Sequence, residues 1–81
     1  MRNTQRQTLE DLLREVEILV SRDAFDNILD ADTTDNMDII RTFKNVYPER
    51  YQKAIETAVK EAIECGANEY RITNAGYEMP K

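Results

Sequence analysis

The sequence predicts an all-α fold, a small bundle of three main helices plus one short connecting helix, with an irregular or short-strand C-terminal tail. Three observations predict it. Apolar residues recur at helical spacing over residues 9–20 and again over 51–63. Short polar residues that favour helix caps stand at Thr8, at Ser21 and Asp23, and at Thr33 and Thr34. Pro48 and Gly66 fall where a helix begins and where it ends.

Thr8 opens the first helix, predicted over residues 8–21. It can cap, Glu10 and Asp11 suit the positive first turn, and Leu9, Leu12, Leu13, Val16, Leu19 and Val20 share one face. Glu10 and Arg14 are spaced to pair on the outer side. Continued at about 100° per residue, the stripe would next reach Asp23 and Asn27, which are polar. The apolar residues there are Phe25, Ile28 and Leu29, so a separate short helix is expected over 23–30, capped by Ser21 or Asp23.

Thr33 or Thr34 can cap a third helix over 35–46, with Asp35 and Asp38 near its positive end. Its buried side is expected to be Ile39, Ile40, Phe43, Val46 and Tyr47. Pro48 biases Tyr47 away from helical geometry and suits the first position of a fourth helix, predicted over 48–65. Tyr51, Ala54, Ile55, Ala58, Val59, Ala62 and Ile63 form its apolar face, and Gly66 ends it.

The tail reads differently. Tyr70 and Ile72 alternate with Arg71 and Thr73, a strand-like pattern over four residues, and 74–76 read as a turn. One short strand is not stable alone, so the tail is a coil packed on the bundle, a frayed end, or half of an intermolecular pair. The chain of 81 residues is thus one domain: an arm over 1–7, a helical core over 8–66 and a tail over 67–81.

Composition narrows function mainly by exclusion. The chain has no histidine and one serine, Ser21, so histidine-based nucleophilic triads cannot be built and ligand sets that need histidine are ruled out. Its two glycines, Gly66 and Gly76, leave no glycine-rich phosphate loop. No catalytic activity, catalytic residue or cofactor is expected. Residues 30–38 resemble a calcium loop in part, with Asp30, Asp32, Thr34 and Asp38 at oxygen-ligand positions. Asp35 replaces the sharp-turn glycine and Arg41 the bidentate glutamate, so a turn rich in caps is the reading and no metal is expected.

No run reaches the ~18–20 apolar residues of a membrane span, and the polar residues 1–7 lack a signal core. The lone Cys65 cannot form an internal disulfide, which points to a reducing cytoplasm. Cys65 is expected to fill space beside the last turn, since its neighbours Glu61 and Glu64 do not supply the positive charge of a reactive thiol.

Charge is the most distinctive feature. The net charge is −5, but residues 8–40 carry ten acids against Arg14 and Arg22, a net −8, while 41–60 carry a net +3. Six aspartates and no base lie between Asp23 and Asp38. Such a surface steers basic partners and can imitate a phosphate array; equally, Asp23, Asp32 and Asp35 lie where they could simply cap helices. A helix-turn-helix reading of residues 23–46 would present Asp35 and Asp38 to DNA, so direct nucleic-acid binding is disfavoured. The bases Arg41, Lys44, Arg50, Lys53 and Lys60 read as a solvated face paired with glutamates. Ile18 falls opposite the first stripe, where an apolar residue is either ordinary surface or part of a contact patch.

The expected function is a non-catalytic protein-interaction module, an acidic inhibitor or regulator of a nucleic-acid-binding protein. Its partner would present a basic surface to Asp26, Asp30, Asp32, Asp35, Asp38 and Ile18. The alternative is a structural homo-oligomer, a homodimer in its simplest form, without a separate ligand; a small DNA-binding regulator comes after both.

Overall fold

The computed structural model describes residues 8–29 and 37–80. Among these residues are four helices and no strand: α1 (Leu9–Ile28), α2 (Met37–Val46), α3 (Pro48–Glu64) and α4 (Glu69–Asn74). The all-α expectation therefore holds, while the division into helices differs at two places.

The first difference is α1, a single helix where two were expected. Thr8 caps it as the sequence suggested: its Oγ1 accepts from the Asp11 N–H at 3.1 Å, and the Asp11 carboxylate accepts from the Thr8 N–H at 3.4 Å. Beyond Val20 the buried row continues through Ala24 and Ile28, all at most 2% exposed. Ala24 bridges the apparent break, because a buried alanine fills a close helix–helix contact as well as a larger side chain fills a loose one. Asp23 consequently lies in a helix interior and caps nothing.

The second difference is the tail. Residues 70–73 belong to α4, not to a strand. Asn68 caps this helix, its side-chain oxygen accepting from the Arg71 N–H at 2.9 Å. Alternation over four residues is too short to outweigh a cap and a following glycine. Ile72 turns inward and is fully buried, so α4 is part of the core rather than an appendage.

Pro48 begins α3, and Tyr47 (φ −128°, ψ 63°) breaks the path between α2 and α3. At the far end Gly66 adopts φ +101°. The Gly66 N–H bonds the Ile63 carbonyl and the Ala67 N–H bonds the Ala62 carbonyl, both at 2.9 Å, a Schellman closure with Ala62 and Ala67 both buried. Gly76 (φ +97°) repeats this closure after α4.

Two contacts fix the direction of packing. Near its start α3 holds the first half of α1 through Arg50, which pairs with Glu10 and, at 3.3 Å, with Glu17. Farther along, the Ser21 hydroxyl donates to the Ala54 carbonyl at 2.8 Å. α1 and α3 thus run in the same sense and pack directly on each other, and α2 lies against both. The α1–α3 seam is built on Val20, Ala24, Ile28, Ala54, Ala58 and Ala62, and no polar side chain is buried among the described residues.

Candidate functional site

α1 has 20 residues and α2 has 10, which at 1.5 Å per residue is about 30 Å against about 15 Å. A helix half as long cannot cover the whole apolar stripe of its neighbour. The uncovered part is exposed: Leu9 and Leu12 on α1, expected in the core, are 64% and 46% accessible. On α2 the core takes Ile40 and Phe43, leaving Met37 50%, Ile39 49% and Val46 60% accessible. Of the five residues expected on the buried side of α2, Ile39 and Val46 are therefore corrected to the surface, and Tyr47 is half-buried.

Ile39 and Val46 line a groove of about 380 Å³ between α1 and α2. One wall is Leu13 and Val16, half-buried; the other is Ile39, Thr42 and Val46; Phe43 and Tyr47 lie at its base, their rings 5.5 Å apart. Asp38 is the one charged residue in this lining. The surface is apolar and contains no nucleophile–base pair.

A second, larger groove of about 1100 Å³ runs between α1 and α3. It holds Ile18, 64% accessible, together with half-buried Asp26 and Phe25. Its charges are mixed: Arg14, Arg22 and Lys53 face Glu17, Asp26, Glu61 and Glu64. Cys65 also lines it and is exposed, contrary to the expectation that it fills space; Ala62 and Ala67 fill the turn instead.

The structure thus brings Ile18 and Asp26 into one groove and places Asp38 at another. Asp30, Asp32 and Asp35 lie outside the described residues, as do Thr34 and most of the calcium-loop comparison. The expected Glu10–Arg14 pair is replaced by the pairing of Glu10 with Arg50. Arg50 thereby leaves the solvated basic face: the Glu10 hydrogen bond raises its pKa, burial opposes that, and Nη1 is buried without a hydrogen-bond partner. Lys44 sits 5.5 Å from the Tyr51 ring centroid, directed towards α3.

Asp23 is half-buried beside Tyr51. Burial first, and then the neighbouring Asp26 charge, raise its pKa above the ordinary 3.8. The Tyr51 phenol is raised too, by burial and then by Tyr77 and Asp23. The Tyr77 hydroxyl accepts from the Asn27 side-chain N–H at 3.4 Å, so these groups dock the segment after α4 onto the end of α1. That role is structural.

Among the described residues no helix is long and apolar enough to cross a membrane. In comparisons with known proteins the chain matches no family model, no curated protein and no solved structure. The reading of function accordingly rests on the chain's own surface.

Proposed function

We propose that this chain is a non-catalytic protein-interaction module that meets its partner through the apolar groove between α1 and α2. The observation that carries the reading is the exposure of Ile39 and Val46 beside half-buried Leu13 and Val16 in the lining of that groove, with Leu9 and Leu12 also exposed on α1. Apolar chains on two adjacent helices lose water contact together when a partner covers them, which is how the centre of a protein interface gains its affinity. The finer form of the reading is an acidic inhibitor or regulator of a nucleic-acid-binding protein. Its support is the net −8 of residues 8–40, together with the position of Asp26 inside α1, where it caps no helix.

The test is capture of partners from the native host by the parent and by an Ile39→Asp/Val46→Asp variant. Both positions are about half exposed or more, so the variant should fold. The expected result is a protein retained by the parent and lost by the variant. Equal retention by both would refute the groove as the interface. Self-association of the parent alone, abolished by the variant, would replace the module with the structural homo-oligomer.

A further inference from the structure

We infer that the other groove, between α1 and α3, is a self-complementary face that takes a second copy of this chain, set antiparallel to the first. The α1–α3 contacts fix where each side chain stands along it. Ser21 bonds Ala54 and Glu17 pairs with Arg50, so a residue of α3 stands about level with the residue of α1 numbered 33 lower. On that register Lys53 falls between Ile18 and Arg22, while Glu61 and Glu64 fall at and beyond the end of α1. The charges of the lining are thereby sorted. Arg14, Arg22 and Lys53 lie towards the start of the groove, and Asp26, Glu61 and Glu64 towards its end. The centres of the two sets are about 14 Å apart along the helices. The remaining acid of the lining, Glu17, is held by Arg50. Asp11, Glu15 and Lys60 lie outside the lining, and Asp11 is taken up by its cap. Among the described residues the three bases, Glu61 and Glu64 make no ion pair within the chain.

This order of charge selects the occupant. A polyanion would be repelled at the acidic end, and a uniformly acidic or basic helix would match one end only. The matching surface carries both signs in the reverse order, and the same groove turned end for end is such a surface. A two-fold axis across the middle of the groove sets the bases of each copy against the acids of the other, so each favourable contact occurs twice. Between the charged ends, Ile18, 64% accessible, and half-buried Phe25 supply apolar contact. The net charge of −5 repels at long range but is screened beyond about 8 Å at physiological salt, and apposed side chains meet well inside that distance. From Arg14 to Glu64 the face is about 25 Å long and two helices, about 20 Å, wide. Two copies would bury about 1000 Å², the size of a weak, exchanging dimer. Leu13 and Val16 lie on the other side of α1 from Ile18, so the α1–α2 groove stays open and the dimer presents two of them to a partner.

The test is sedimentation equilibrium of the full chain from micromolar to millimolar concentration, under reducing conditions that keep exposed Cys65 from cross-linking copies. The parent should pass from monomer to dimer and no further, because a two-fold face closes on itself. Ile18→Asn, which removes apolar contact without adding charge, should raise the dissociation constant about tenfold. Two charge-reversed variants, Arg14→Glu/Lys53→Glu and Glu61→Lys/Glu64→Lys, should each stay monomeric alone, since the symmetry repeats every like-charge contact. Mixed in equal amounts, they should form a one-to-one dimer. Arg41→Glu/Arg71→Glu matches the first variant in net charge but lies outside the groove, and should dimerise like the parent. All these positions are exposed, so the variants should fold, which thermal melts verify. A parent monomeric at millimolar concentration would overturn the inference. So would a mixture that stays monomeric, a control that loses the dimer, or assembly beyond the dimer. Ile39→Asp/Val46→Asp should keep this dimer while losing host capture, which separates the two grooves. Loss of the dimer in that variant would move the second copy to the α1–α2 groove and overturn the assignment made here.

Discussion

Replacing Ile72 by alanine removes three carbon atoms from a side chain that is fully buried at the junction of α4 with the rest of the core. At about 0.8 kcal/mol per buried methylene the lost transfer free energy is about 2.4 kcal/mol, and incomplete collapse of the cavity brings the cost to about 3 kcal/mol. A chain of 81 residues has a total stability of about 4–12 kcal/mol, so this one change removes a large share of it. The assay is urea unfolding followed by far-ultraviolet circular dichroism, with Tyr70→Ala as the internal control. Tyr70 lies in the same helix but is 73% exposed, so its replacement should change stability by less than about 0.5 kcal/mol. Both changes place alanine in α4, which separates burial from helix propensity. A cost for Ile72→Ala below about 1 kcal/mol, or equal to that for Tyr70→Ala, would refute the packing of α4 into the core.

Two further outcomes follow from local physics. Asp23 has a raised pKa, so the fold favours its protonated form; the stability it contributes is present below the ordinary 3.8 and lost as pH rises through the higher folded value. Asp23→Asn should therefore be more stable than the parent at neutral pH, with the difference shrinking towards acid, and a pH-independent difference in urea midpoints would refute it. At Gly66, φ +101° and the open space around a built Cβ make the penalty conformational: Gly66→Ala should cost about 1 kcal/mol and Gly66→Asn clearly less, because asparagine tolerates this region. Equal costs in thermal melts would show that the backbone does not hold this geometry.

Much of the fold was legible because several local signals agreed at the same positions. Thr8 with Asp11, Pro48 after Tyr47, and Gly66 after Cys65 each combine a stereochemical preference with the edge of an apolar run, and each marks the observed boundary to within a residue or two. The errors came from small residues and short windows. Ala24 carries the α1 stripe from Val20 to Ile28, yet alanine is apolar enough to bury and too common on helix surfaces to advertise it. The α4 segment offers six residues, fewer than two turns, and its burial depends on Ile72 meeting a core built elsewhere in the chain.

The candidate site was harder to read because apolar spacing reports which face of a helix is hydrophobic, not whether another element covers it. Leu9, Leu12, Ile39 and Val46 were assigned to the core on periodicity, and periodicity is the same for a covered stripe and an open one. A length comparison separates the two. The apolar residues of α1 begin at Leu9, while α2, at about half its length, divides its apolar residues between a core row, Ile40 and Phe43, and an open row, Ile39 and Val46. The core buries the first of these rows and leaves the second exposed. A strongly amphipathic helix whose apolar face is wider than the part its own bundle covers leaves the remainder as the surface on which the proposed interaction would rest.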